Sequence, residues 1–324
     1  MIALALSRLE KDSAIPKLIT NSLAQRATMS EELGMYWKDF RAGYHWNEFP
    51  TEMHALMIEA FDQVAQDQEK VDALRQYLLK LKQTTAWKTT KATADACYAL
   101  LLAGDDWLAA KEPPVITVGN VTLRSPKGDN AEAGTGYFER TWPSSEVEPA
   151  MGQVTVTTTS DGVQWGALHW QYFEQMDKVK AHESPFSLQR QVMLNEQTEG
   201  GARLVALDTS RPLKPGDKLT VRMELRTDRY LDLVHLKDLH AAGLDATQAL
   251  SGYQWKGGLG YYLSIRDAAM HFFFDRIAPG TYVFEYDLKV THAGAFSNGI
   301  TSVECMYAPE FSSHSEGLRI EVKE

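Results

Sequence analysis

The residues best suited to chemistry lie in four places. Tyr44, His45 and Glu48 stand together in a short loop beside Trp46. A phenol, an imidazole and a carboxylate at that spacing could act as acid and base on a polysaccharide. Loop side chains this close in sequence are also common without a reaction, and the preferred reading is a loop anchored by Tyr44 and Trp46, with His45 and Glu48 in water. His235 and His240 bracket Asp238. Metal ligands on one face would stand at i,i+4 on a helix or i,i+2 on a strand, and a spacing of five fits neither. That trio is expected at a strand end running into a solvated loop. Trp165, Trp170, Tyr172 and Phe173 could form a carbohydrate platform, but aromatics on both faces of one strand fit core and domain-interface packing better. Gly257-Gly258-Leu259-Gly260 has neither the Lys-Ser/Thr nor the helix of a phosphate loop, so a mobile loop or hairpin edge is expected there. The sequence has no Gly-x-Ser-x-Gly nucleophile elbow. Asn120-Val121-Thr122 matches a glycosylation acceptor, a triplet too common to weigh.

Cys97 falls in an apolar helical stretch and Cys305 in a strand-like one. Both read as small buried hydrophobes in different domains, not as a disulfide. No catalytic, cofactor or metal-ligating residue is assigned, and no cofactor is expected.

The elements that carry these residues divide the chain. Its 324 residues suit two or three domains, and an apolar share of 44% lets each bury a core. A formal net charge of -10 argues against a nucleic-acid partner, which needs Lys and Arg in excess. No apolar run reaches the roughly 20 residues of a membrane span. The opening, MIALALSRL, has its charge after the apolar run, so an amphipathic helix is expected there in place of an export signal.

Residues 1 to about 110 read as helices. Ile15, Leu18, Ile19 and Leu23 recur at helical spacing; Met53, Leu56, Met57, Ala60, Phe61 and Val64 form a wide stripe behind Pro50, with Thr51 as its cap. Val71, Leu74, Leu78 and Leu81 share a face of a third helix. A fourth, Thr93 to Ala103, is apolar nearly all round and should be covered on most sides, with Gly104 ending it. Trp37-Lys38 and Trp87-Lys88 each precede a helix, a weak repeat of helix pairs. Alternating helices with Trp-bearing loops build layered barrels. About half such a barrel is visible, and the chain is expected to be a portion of something longer whose exposed apolar face would favour self-association.

After Glu112-Pro113-Pro114 the periodicity becomes two. Val154 and Val156, then Leu219 to Leu225, then Tyr282 to Val290, alternate apolar with polar. Pro279-Gly280 is expected to close a hairpin between His271–Asp275 and the strand after it, and Leu318, Ile320 and Val322 to supply a last strand. The fold class is therefore multidomain, α then β, with antiparallel β-sandwiches and a β-part boundary near Lys178 to Pro185.

Three ordered stretches resemble the bacterial alpha-2-macroglobulin family: Gly34-Met35-Tyr36-Trp37-Lys38; Ala86-Trp87-Lys88-Thr89-Thr90-Lys91-Ala92-Thr93-Ala94-Asp95-Ala96 with Tyr98-Ala99-Leu100-Leu101; and Phe284 to Gly294 followed by Val303-Glu304-Cys305-Met306-Tyr307-Ala308-Pro309-Glu310. The resemblance implies that 1–111 are the last half of a helical thioester-type domain, a partial α/α toroid. It implies that 112–180 complete a CUB-like β domain and that 181–324 form the terminal macroglobulin or receptor-binding-type sandwich. It also implies a non-enzymatic piece of a broad-range protease trap in the periplasm or at the cell surface, whose partners are proteases and the remaining domains of the same chain. The family's reactive cysteine is followed by Glu-Gln. Cys97 is followed by Tyr98-Ala99 and Cys305 by Met306-Tyr307, so neither is that residue. The competing expectations are a carbohydrate-active enzyme using Tyr44, His45 and Glu48, and a surface binding module using exposed aromatics.

Overall fold

A computed structural model describes residues 1–39, 49–102, 114–123, 138–158, 166–183, 186–198, 201–208 and 211–324. The loop with Tyr44, His45, Trp46 and Glu48 lies outside the described residues, as do Gly104 and Trp165. The chain divides into two compact units. One is Met1–Gln25, Ala55–Asp72 and Cys97–Trp170; the other is Arg26–His54, Ala73–Ala96 and Gln171–Glu324.

The helical region holds α1 (Ile2–Leu9), α2 (Ile15–Arg26), α3 (Pro50–Ala60), α4 (Gln68–Thr84) and α5 (Thr90–Leu102), with a small hairpin, β1 (Thr28–Ser30) and β2 (Gly34–Tyr36), between α2 and α3. Pro50 is the first helical residue of α3, where its fixed φ suits the turn and no N–H is missed. Thr51 therefore lies inside the helix and is not its cap. Phe61–Ala65 continues α3 as a wider π turn, closed by Gln66 at φ 54°. Asp67 caps α4, its Oδ1 accepting the Lys70 N–H at 3.2 Å, and Thr89 caps α5 by accepting the Ala92 N–H at 3.0 Å.

The α4 stripe behaves as its period requires, with Val71, Leu74 and Leu78 fully buried. Two other faces do not. On α2, Ile15 and Leu18 are exposed, while Pro16 and Thr20 are buried. On α5 only the small residues Ala92, Ala96 and Ala99 are buried; Tyr98, Leu101 and Leu102 face out, and Cys97 is exposed, not buried. In the first unit, Leu4 of α1 packs on Ala60 and Val64, and Arg8 pairs with Glu59 at 2.6 Å.

The first unit also holds a small antiparallel sheet of β3 (Val115–Val118), β4 (Val121–Leu123) and β5 (Val154–Thr157), in the order β4-β3-β5. Val154 and Val156 of β5 are exposed, so that strand covers no core on either face. Residues 166–173 form no strand, and Trp170, Tyr172 and Phe173 are exposed instead of packed.

The second unit ends in a sandwich. One five-stranded antiparallel sheet joins β6 (Ser187–Thr198), β7 (Gly201–Ala206), β8 (Lys218–Thr227), β10 (Leu244–Ala246) and β14 (Gly280–Val290) in the order β10-β14-β8-β6-β7. A six-stranded sheet joins β9 (Leu231–Leu239), β11 (Gly252–Lys256), β12 (Leu259–Arg266), β13 (Ala269–Ile277), β16 (Thr301–Cys305) and β17 (Ala308–His314) in the order β11-β12-β13-β9-β16-β17. A further pair, β15 (Gly294–Ser297) and β18 (Arg319–Val322), closes the chain. The inward side chains alternate along each strand. Leu219, Val221, Met223 and Leu225 of β8 meet Val234 and Leu236 of β9 in one buried cluster. Tyr261, Phe272, Phe274 and Phe284 fill its middle, with ring centres 5.4 to 5.7 Å apart.

Pro279-Gly280 does not close a hairpin. β13 pairs with β9 and β12, whereas β14 pairs with β8 and β10, so this turn carries the chain from one sheet to the other. The two-residue Gly257-Gly258 turn does form a hairpin, joining Lys256 to Leu259 with both glycines at positive φ, 60° and 80°.

Leu233 is the strained point of β9, at φ 54° and half-exposed. Leu236, three residues on, is fully buried. Chemical denaturation of Leu236→Ala should show a loss of about 3 kcal/mol, the usual cost of an uncollapsed core cavity. Leu233→Gly should be neutral or stabilising by about 1 kcal/mol, because the left-handed conformation no longer opposes a Cβ.

Candidate functional surfaces

The trio His235, Asp238 and His240 is separated by the pleat. On β9, His235 points to the outer face of the six-stranded sheet, while Asp238 points into the sandwich and is fully buried. Asp238 is not solvated at a strand end. Arg190 of β6, from the opposite sheet, brings its Nε to 2.9 Å from Asp238 Oδ1. Tyr286 of β14 donates to Oδ2, and Thr301 of β16 donates to Oδ1. Burial, with Asp238 beside it, pushes the Tyr286 phenol well above its ordinary pKa, so it remains a donor. The Arg190 Nη2 also donates to the carbonyls of Leu239 at 2.7 Å and Asn298 at 3.3 Å. His240 is likewise buried, and burial lowers its pKa. This arrangement ties two sheets together and leaves no open face for a substrate.

On the outer face a row crosses the sheet: Tyr253, Tyr262, Phe273, His235 and Glu304 stand opposite one another on successive strands. His235 Nε2 lies 2.9 Å from His271 Nδ1, and the two ring centres are 5.2 Å apart with planes 3° from parallel. The N–N distance and the two ring radii account for that separation in full. The rings are therefore coplanar and meet edge to edge, sharing one proton between collinear lone pairs. Glu304 Oε1 lies 3.5 Å from the other nitrogen of His235. A metal needs two lone pairs that converge at an angle, and this pair does not offer them. Among the described residues, no group of three or more His, Cys, Asp or Glu side chains is arranged to hold a metal.

Cys305 is buried, and burial followed by Glu310, Asp232 and Glu304 pushes its thiol up to about 12. It stays protonated and unreactive as a nucleophile.

In the helical part of the second unit, His54 of α3 is buried against Tyr77, with ring centres 4.9 Å apart, and near Trp37. Its Nε2 lies 2.8 Å from the Leu74 carbonyl, which requires the N–H there. Nothing in the sequence marks this residue, which sits one position from Met53 in what reads as a plain apolar stripe. Nearby, Thr84 donates to the Tyr230 carbonyl at 3.0 Å, the Ala86 N–H to Asp232 at 3.1 Å, and Arg229 pairs with Glu32 at 2.9 Å. Asp232 in turn holds Arg276 through both its oxygens.

The first unit carries an apolar hollow of about 440 Å³, lined by Ile2, Ile19, Leu23, Leu56 and Met57 among others. No helix among the described residues is long and apolar enough to cross a membrane.

Residues 186–310 match the sequence model of the bacterial alpha-2-macroglobulin MG10 domain. Over these residues the chain is similar to the bacterial alpha-2-macroglobulins. An alpha-2-macroglobulin homolog of Nostoc sp. is 26% identical over 302 residues, which cover 86% of this chain and 15% of that protein. The chain thus spans about 15% of the length of this relative. Salmonella alpha-2-macroglobulin reacted with methylamine is 14% identical at a TM-score of 0.36, covering 99% of this chain and 19% of that one. Trypsin-activated alpha-2-macroglobulin from Escherichia coli is 12% identical at a TM-score of 0.40, covering 85% and 19%.

Burial lowers the His54 pKa from 6.5 to about 4, outweighing the Leu74 hydrogen bond that raises it. The unfolded chain therefore binds this proton first as pH falls. Its contribution is intact above pH 6.5 and lost progressively toward pH 4, by about 3 kcal/mol in all. Denaturation curves of His54→Gln between those values should be flatter with pH than those of the unchanged chain. Equal slopes would show that His54 is not the buried neutral group described.

Proposed function

We propose that the chain is the C-terminal part of a conformational protease trap of the alpha-2-macroglobulin type, and that it packs and moves but carries out no reaction itself. The observation that carries this reading is the MG10 match over 186–310, which spans most of the two-sheet sandwich. On this reading 1–111 are half of a helical toroid that bears the thioester elsewhere, 112–180 the second half of a CUB-like domain, and 181–324 the terminal sandwich. The exposed Tyr98, Leu101 and Leu102 of α5 and the hollow beside α1 support it, because such faces suit further helices of the same layer. Val154 and Val156 on β5 likewise suit a sheet face covered by a further layer. The structures of relatives activated by trypsin and by porcine elastase support proteases as the partners. The periplasm or cell envelope is the matching location.

A trap encloses its target without blocking the target's active site. Incubation of the whole natural protein with trypsin should therefore leave hydrolysis of a small peptide substrate nearly unchanged while suppressing digestion of a large protein substrate. Removal of 186–324 should abolish that difference. Equal cleavage of both substrates would contradict the proposal. Polysaccharide cleavage that disappears in His45→Ala would replace it with the enzyme reading.

A further inference from the structure

We propose that His182 and His314 form a binding site for a borderline divalent cation such as Zn²⁺ or Cu²⁺, which fastens the segment before the sandwich onto β17. The two residues face each other across a single antiparallel bridge outside the main ladders. The His182 N–H donates to the His314 carbonyl at 2.9 Å, and the His314 N–H donates to the His182 carbonyl at 2.8 Å. In such a closed pair both side chains leave the same side of the ribbon.

The rings are placed for shared coordination. Their centres are 5.8 Å apart and their planes are tilted by 35°. Two imidazoles on one tetrahedral ion, with metal–nitrogen bonds of about 2.1 Å, hold their centres roughly 5 Å apart. A small rotation of the exposed His182 ring closes the gap. The tilt of 35° contrasts with His235 and His271, whose planes lie 3° from parallel.

The second observation concerns the tautomer. His314 Nδ1 lies 3.2 Å from the Ser315 carbonyl, so that nitrogen carries the proton and Nε2 keeps its lone pair. A ligating histidine whose other N–H is held by a backbone carbonyl is the usual arrangement at metal sites. The adjacent Glu183 is engaged by Ser187, which donates to it at 3.1 Å. Two imidazoles and solvent thus complete the coordination, which favours ions with high affinity for nitrogen.

Coordination here would cross-link a strap. Leading up to His182, Asp177 pairs with Arg319 at 3.2 Å, and the Gly317 N–H donates to the Val179 carbonyl at 2.8 Å. A Cβ at Gly317 would lie 1.8 Å from the Met176 carbonyl oxygen, so the strap rests directly on the backbone between β17 and β18. The ion adds a side-chain fastening at His182 to the two backbone hydrogen bonds already there.

Calorimetric titration of the chain with Zn²⁺, and histidine NMR signals under Cu²⁺, test the proposal. One site should appear whose affinity falls roughly tenfold or more in His182→Ala and again in His314→Ala, with His235→Ala unchanged. Zn²⁺ should also slow amide exchange of residues 177–182, and His182→Gln should remove that protection while leaving the metal-free unfolding midpoint unmoved. Zn²⁺ affinity that is the same in both alanine variants, or that is lost in His235→Ala instead, would overturn the assignment.

Discussion

The sandwich depends on one buried carboxylate. Asp238 is fully enclosed between two sheets whose inward positions are mostly aliphatic or aromatic. A lone carboxylate there would be very costly, and every group around it answers that cost. Arg190 supplies the countercharge from β6, Tyr286 a hydroxyl from β14, and Thr301 a hydroxyl from the neighbouring β16. Arg190 and Tyr286 belong to one sheet and Asp238 and Thr301 to the other. The network therefore fixes how the sheets sit across the core. A slip of one residue in β9 would place Asp238 in water and Lys237 in the core. Apolar packing supplies the greater part of the burial energy but little directional preference; the ion pair supplies the preference.

The same register sets the outer face. With Asp238 inward, His235 and Lys237 must point out, and His271, Phe273 and Glu304 line up beside them through the ladder. The helical part of this unit is tied to the same strand. Asp232, at the start of β9, receives both Arg276 and the Ala86 N–H after α4. A sandwich held this tightly is suited to moving as one body within a larger assembly, which is the role proposed for it.

Much of this was legible in the sequence where one physical rule acted alone. The period of two in Leu219–Leu225 and Tyr282–Val290 marked β8 and β14, and Val71, Leu74 and Leu78 marked the buried face of α4. What failed involved choices that local pattern does not encode. Pro279-Gly280 makes the same turn whether the chain returns to its own sheet or crosses to the other. Asp238 looks polar in sequence and therefore solvated, because its partner Arg190 is 48 residues away. Trp170, Tyr172 and Phe173 look like a packed strand, yet they are exposed and outside any strand. Cys97 and Leu101 look buried because α5 is apolar all round, but the faces that small alanines bury are narrow. His54 gave no signal, since a buried histidine satisfied by one carbonyl resembles any other helical residue until the fold brings Leu74 to it.

Asp238 anchors the two sheets to each other through Arg190, Tyr286 and Thr301. Equilibrium unfolding of Asp238→Asn, Arg190→Met and the double variant measures that anchoring directly. The account predicts that Asp238→Asn alone loses about 3 kcal/mol or more, and that the double variant is more stable than the sum of the single losses. Full stability in Asp238→Asn, with additive effects in the pair, would contradict it.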